Sequence, residues 1–330
     1  MVEGLRARRD SGRIAGVIIG LCGAEFPEVR RHLRVALPEA ELVELVVGAR
    51  ELRAVDVLVP LGASIDAGLM EAVRPRLIQQ FGVGLQGVDL VAARERGIPV
   101  AFVPAADTGN AVAVAEIAML HLLMLLRRFG ETQVSVAERR VGSPSGSMLA
   151  GKAVTVLGTG AIGTALLARL SAFDVVTTAV GRRGYRDYPA LSGLVPAERY
   201  YSIDVFRKAL AGTEVLIVCC PLTERTRGLV GADEFAAMPP GGWLINVGRG
   251  PIVEYRSLLD ALRSGRLAGA GLDVTWAEPI DPGDPLLSEN VCVTPHIGGV
   301  TEESYAAMAA TFAVNARRVL AGEPLSHLAE

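Results

Sequence analysis

The sequence predicts an α/β protein of two doubly wound parallel-sheet domains, one inserted into the other. Three observations carry this. A chain of 330 residues is about twice the size of a typical domain, which favours two cores over one. Half of the residues are hydrophobic and 37 are glycine, a composition suited to packed α/β layers joined by tight turns. Short β-type runs also alternate with amphipathic stretches along most of the chain, and that alternation is the mark of a parallel sheet.

Residues 1–12 are polar and Arg-rich and are expected to be loose. The first strand series is "AGVIIGL", "ELVELVV", "VDVLVPLG", "LIQQFGVG" and "IPVAFVP", with helical stretches such as "PEVRRHLRVAL" and "VDLVAARERG" between several of them. A long apolar helix over 110–128 and a polar loop, "RRVGSPSGSMLAGK", lead to the second series. This consists of "AVTVLG", "VVTTAV", "EVLIVCC", "GWLINVG", "LAGAGLDV" and "VCVTP". The last helix, "EESYAAMAATFAVNARRVLAG", can return to the first domain. The expected division is therefore 1–104 with 299–330, and 105–298.

Net charge is −3, so no broad basic surface is available to nucleic acid. Of the 33 basic residues only Lys152 and Lys208 are lysine, a bias read as compositional. The cysteines, Cys22, Cys219, Cys220 and Cys292, show no C-x-x-C spacing and read as buried thiols of a reducing compartment. The apolar stretch "AVAVAEIAMLHLLMLL" is interrupted by Glu116 and His121 and is short for a membrane span. No secretory signal stands out, no metal site is expected, and the expected location is the cytoplasm.

"VLGTGAIG" places Gly158, Gly160 and Gly163 directly after a strand and at the start of a helix. In that context the glycines have separate mechanical tasks: a tight turn, room for a pyrophosphate against helix N-terminal amides, and close packing of helix on strand. The acid expected about 20 residues further on, which would hold ribose hydroxyls, is missing. Gly181 stands near that place, followed by Arg182 and Arg183. Without a carboxylate to repel it, a 2′-phosphate could pair with guanidinium groups there. The reading is NADPH in preference to NADH, with NAD still possible. The alternative is that both arginines are solvated loop residues.

Only four histidines are present. His32 is expected on a helix surface, His121 packed in a helix and His327 in a disordered tail. His296 in "VTPHIGG" differs, because it lies just past a strand end, where open α/β sheets build their ligand crevice. Arg249 in "LINVGRG" and Glu278, a few residues past "AGLDV", share that placement. Together they suit reduction of a ketone. An imidazolium can donate a proton to the carbonyl oxygen as it gains charge, a carboxylate can orient the ring, and a guanidinium can bind a substrate carboxylate.

From about residue 55 to 320 the chain resembles the D-isomer-specific 2-hydroxyacid dehydrogenases. The resemblance lies in "FGVGLQGVDLVAARERGIPV", "NAVAVAEIAMLHLLMLLRR", "VLGTGAIG", "PLTERTRGLV", "LINVGRGPIVEYRSLLDALRSGRLAGAGLDV", "EP" and "TPHIGG". It implies two Rossmann-type domains, with the cofactor domain inserted into a flavodoxin-like substrate domain, and a catalytic set of Arg249, Glu278 and His296. It implies that Asp273 contacts the nicotinamide carboxamide and that amides around Val83 and Gly84 cradle the substrate carboxylate. Ala161 and Ile162 in the glycine loop, with Pro221 and Thr226 in "PLTERTRGLV", join the expected cofactor set.

The family resemblance further implies a homodimer formed through the helix at 110–128. Within the family, "GRR" at 181–183 looks like the NADPH-preferring glyoxylate and hydroxypyruvate reductases. Gln86 and Trp276 lie near the substrate side and do not indicate a particular acid. Formate dehydrogenases carry glutamine where Glu278 stands, and phosphite dehydrogenases carry lysine where Gln86 stands. The expected activity is reduction of a small 2-keto acid to the D-2-hydroxy acid. Two alternatives remain: a reductase of a bulkier or aromatic keto acid, and an NAD(H)-sensing binding protein like the C-terminal-binding corepressors, which keep the same three residues.

Overall fold

The computed structural model describes residues 16–23, 26–49 and 52–329, so the polar lead of residues 1–12 lies outside the described residues. The chain divides into two compact units, Met1–Pro104 with Tyr305–Glu330, and Ala105–Ser304. The second crossing therefore falls within the C-terminal helix Glu302–Ala321, further along than the sequence pattern placed it. A helix offers no composition break to mark such a point.

Unit 1 begins with β1 (Ile18–Cys22), α1 (Pro27–Ala36), β2 (Glu41–Leu45), β3 (Val57–Pro60), α2 (Ala67–Val73), β4 (Leu77–Gln79), α3 (Leu90–Glu95) and β5 (Val100–Ala101). Its five strands are parallel in the order β2-β1-β3-β4-β5, a flavodoxin-like arrangement. Helix starts follow local chemistry. Pro27 opens α1, and the Asp66 and Asp89 carboxylates accept from Leu69 N at 2.8 Å and Ala92 N at 2.9 Å. Each such cap contributes about 1 kcal/mol.

Two histidine expectations change here. His32 is only 6% exposed, because α1 turns it inward onto the edge of the Tyr305 ring, 5.4 Å between centroids. The tail around His327 is paired rather than disordered: Phe102 N donates to His327 O at 3.1 Å, Ala329 N donates to Val100 O at 2.8 Å, and Leu328 bridges Ala101. The polar composition of the tail gave no sign that its backbone extends the edge of the sheet.

Unit 2 contains α4 (Asn110–Leu126), α5 (Phe129–Ala137), β6 (Ala153–Leu157), α6 (Ala161–Leu170), β7 (Val176–Gly181), β8 (Tyr200–Ser202) and α7 (Phe206–Ala209). It continues with β9 (Val215–Val218), α8 (Ala232–Ala237), β10 (Gly242–Asn246), α9 (Tyr255–Arg263), β11 (Leu267–Leu272) and β12 (Val291–Val293). All seven strands are parallel, in the order β12-β11-β10-β9-β6-β7-β8. The order reverses between β6 and β9, which makes their carboxyl ends the ligand-binding edge of a Rossmann-type sheet. The central strand β9 is buried throughout, the continuous apolar run that helices on both faces require. α9 is clearly two-faced, burying Leu258, Leu259 and Leu262 and exposing Arg256, Asp260 and Arg263.

The apolar helix expected over 110–128 ends at Leu126, turns by 56° at Arg127 and Arg128, and resumes as α5. Arg128 takes a left-handed conformation (φ 51°) that breaks the α-helix. Among the described residues no single helix is long and apolar enough to cross a membrane. The edge strand β8 was not foreseen, because three half-buried residues after an irregular segment carry no alternation to read.

Candidate active site

At the β6–α6 turn each glycine meets a different constraint. Gly158 has φ 116° and its missing Cβ would lie 2.7 Å from Cys220 N, so this turn and the segment just past β9 touch through backbone alone. A Cβ on Gly163 would run into the Gly158 carbonyl, so α6 can approach β6 only without one. Gly160, the N-cap of α6, has no side-chain cap, and a Cβ there would meet nothing within 4 Å. Ala161 and Ile162 form the first turn behind it. Open space in front of uncapped N-terminal amides fits a pyrophosphate.

At the end of β7 a Cβ on Gly181 would collide with the Tyr200 and Thr159 hydroxyls, so an acidic side chain has no room at that position. Arg182 and Arg183 follow, both exposed. The Arg183 guanidinium stands 4.9 Å over the Tyr188 ring, its backbone N donates to Tyr188 Oη at 3.3 Å, and Tyr200 Oη donates to the Arg183 carbonyl. Burial raises the Tyr200 hydroxyl pKa to about 12, so it remains a donor. Tyr188 and Tyr200 were missed from sequence, since nothing in their spacing ties them to "GRR".

Two expected cofactor contacts are internally committed. Thr226 is buried, and its hydroxyl donates to the Pro221 carbonyl and accepts from Thr223 N, both at 2.7 Å. Its observed work is to shape the 221–226 loop after β9. Asp273, just past β11, is 3% exposed and accepts from Thr294 Oγ1 at 2.6 Å, Ile297 N at 2.9 Å and Gly298 N at 2.8 Å. Trp276 is likewise tied inward, with Nε1 donating to the Val253 carbonyl at 2.7 Å. In unit 1, Val83 and Gly84 follow β4 in a loop where Val83 is exposed.

The three candidate reacting groups all lie in unit 2, past the carboxyl ends of their strands. Beyond β10, buried Asn246 shapes the turn that bears Arg249: its Oδ1 accepts from Gly248 N and its Nδ2 donates to Arg249 O, each at 3.0 Å. A Cβ on Gly250 would run into the backbone at Thr275 and Trp276, so this turn packs directly on the loop that leads to Glu278. Among the described residues the Arg249 guanidinium has one hydrogen-bond partner, the Gly248 carbonyl at 2.7 Å. Burial lowers its pKa, opposed by the charges of Glu278 and Asp273.

Glu278 uses both carboxylate oxygens. Oε1 accepts from Thr275 N at 3.0 Å, and Oε2 lies 2.7 Å from His296 Nδ1. Burial raises the Glu278 carboxyl, but the hydrogen bond and charge of His296, with help from the Thr275 amide and Arg249, leave it below the usual carboxylate range. An ionised Glu278 only accepts, so the proton in the pair lies on His296 Nδ1. His296 itself is held in the left-handed region at φ 54°, a conformation costing on the order of 1–3 kcal/mol in a non-glycine residue. Its amide donates to the Asp273 and Thr294 carbonyls, both at 2.9 Å.

Residues 119–298 match the NAD-binding domain of the D-isomer-specific 2-hydroxyacid dehydrogenases, which is more than half of the chain. The chain belongs to that family. This dehydrogenase is 34% identical to hydroxyphenylpyruvate reductase of Plectranthus scutellarioides over 80% of its own length and 81% of the relative's. It is 33% identical to the glyoxylate reductase/hydroxypyruvate reductase of Mus musculus, over 88% and 86% of the two chains. The solved structure of an NADPH-dependent glyoxylate/hydroxypyruvate reductase from Sinorhizobium meliloti, in complex with NADP and malonate, superposes with a TM-score of 0.79 at 29% identity, covering 95% of this chain and 96% of that one. The dehydrogenase is thus an oxidoreductase with a nicotinamide-dinucleotide-binding domain.

Proposed function

We propose that this dehydrogenase reduces a small 2-keto acid to the D-2-hydroxy acid, and catalyses the reverse oxidation, with NADPH preferred over NADH. The observation that carries the reading is the 2.7 Å pair between His296 Nδ1 and an ionised Glu278, held at the ligand-binding edge of the family's NAD-binding domain. The glycine turn at 158–163, with Ala161 and Ile162 behind it, would hold the pyrophosphate, and the loop of Pro221 and Thr226 would line it. Asp273 has room on its carboxylate for one further donor, as a carboxamide would supply. When bound, the nicotinamide supplies and accepts hydride.

The chain's own residues do the rest. His296 gives the proton at Nε2 to the substrate carbonyl oxygen, while Glu278 accepts from Nδ1 and balances the ring's positive charge. The uncommitted N–H groups of Arg249 pair with the substrate carboxylate and polarise the neighbouring carbonyl. Glyoxylate and hydroxypyruvate are the first substrates to test. The likeness to hydroxyphenylpyruvate reductase favours an aromatic keto acid as a second reading.

The test is nicotinamide absorbance with NADPH and with NADH over a panel of these acids. The Arg182→Ala, Arg183→Ala double variant is expected to lose the NADPH preference by raising KM for NADPH about tenfold or more while leaving that for NADH in place. An unchanged ratio would remove the phosphate role. Glycine at 181, closed to any acid, and Arg183 stacked on Tyr188 are what support it. The same reading includes a homodimer: Val112 and Leu120 of α4 and Phe129 and Val134 of α5 are exposed apolar residues that a second copy would cover. A light-scattering mass of a single chain at micromolar concentration would exclude it.

A further inference from the structure

Beneath the His296 turn, His121 and Thr294 form a polar chain that leads to Asp273, and these two side chains have no part in the chemistry above. His121 on α4 is fully buried and packs against Gly271 of β11, where a Cβ would lie 2.6 Å from the His121 Cβ. Its Nε2 is 3.0 Å from Thr294 Oγ1, and the Thr294 hydroxyl donates to Asp273 Oδ1 at 2.6 Å. A hydroxyl has a single proton, so with that proton on the Asp273 side His121 Nε2–H must be the donor to Thr294. Burial lowers the imidazole pKa against the opposing pulls of the Asp273 charge and the Gly271 backbone, which keeps the ring neutral.

Asp273 is the hub that receives this chain. Its two oxygens accept from Thr294 Oγ1, Ile297 N and Gly298 N, and its backbone carbonyl accepts from His296 N. Gly298 allows the approach, since a Cβ there would lie 2.6 Å from Asp273 Oδ2. The left-handed backbone of His296 is therefore fixed on both sides by one residue, and that residue's carboxylate is oriented by Thr294 and His121. Buried groups that orient an active side chain in this way typically affect turnover without touching substrate.

We propose that His121 is a positioning residue for His296, acting through Thr294 and Asp273 to hold the 294–298 turn in the shape that presents the imidazole to Glu278. This rests on the proton-donating role of His296 proposed above. The variants are Thr294→Val, which keeps the shape and removes the hydroxyl, His121→Leu, which removes the donor, and Thr294→Ser as the conservative control. Each is measured for kcat and KM of the keto acid at saturating NADPH, for NADPH affinity by direct fluorescence titration, and for amide hydrogen exchange of residues 296–298 without cofactor.

Thr294→Val is expected to lower kcat about tenfold, the scale of a small misplacement of a reacting group. NADPH affinity should change by a smaller factor than kcat, since only the carboxamide contact proposed for Asp273 depends on this chain, and exchange at 296–298 should quicken. His121→Leu should change both quantities in the same direction by a smaller factor, and Thr294→Ser should restore them. Wild-type kcat and exchange in Thr294→Val and His121→Leu would overturn the proposal, as would failure of Thr294→Ser to restore either. If Thr294→Val does not fold, His121→Leu decides by the same outcomes. Full turnover in His296→Ala would instead overturn the proton-donor reading, and the exchange rates at 296–298 would still decide whether His121 and Thr294 hold the turn.

Discussion

His296→Ala is expected to lower kcat by about 10²–10⁴ while leaving the affinity for NADPH near its original value. The carbonyl oxygen gains negative charge as its carbon is reduced, and without the imidazole only solvent can supply the proton. The glycine turn at 158–163, proposed to hold the cofactor, lies on the β6–α6 connection, whereas His296 follows β12, so the two readouts separate. Steady-state kcat combined with direct NADPH titration checks this. Equal losses in turnover and cofactor affinity would mean that His296 supports the nucleotide site and not the proton transfer.

Arg249→Gln should reduce kcat/KM for the keto acid by about 10²–10³, since on the proposed reading it removes the positive charge that pairs with the substrate carboxylate and polarises the carbonyl. Glutamine keeps a polar side chain of related reach on a turn already formed by Asn246 and Gly248, so the backbone has no reason to move. Arg249→Lys should recover little, because a point charge does not reproduce the planar fork. The measurement is kcat and KM for the acid at fixed, saturating NADPH. A change confined to KM for NADPH would place Arg249 on the nucleotide and refute the carboxylate pairing.

Much of this was readable in the chain because it depends on local rules. The glycine spacing after "AVTVL" is legible, since a φ of 116° at Gly158 and the backbone contact at Gly163 admit no other residue. His296, Arg249 and Glu278 could be singled out because each follows a β-type run, and strand ends define the edge where ligands bind. What stayed hidden depends on residues remote in sequence. Tyr200 closes the space at Gly181 from the unforeseen strand β8, and His121 reaches Thr294 from a helix whose apolar pattern suggested only packing.

Periodicity and turn chemistry in the sequence thus determined two parallel α/β sheets, their strand ends and the residue types placed there, because these follow from each segment's own backbone and burial preferences. Tertiary structure alone decided that Thr226 and Trp276 point inward, that Asp273 serves as the hub of the His296 turn, and that His32 and the His327 tail are packed. The physical reason is the same in each case. A polar side chain gives no local signal of its partner, and hydrogen bonds between distant segments exist only once the sheet has brought those segments within reach.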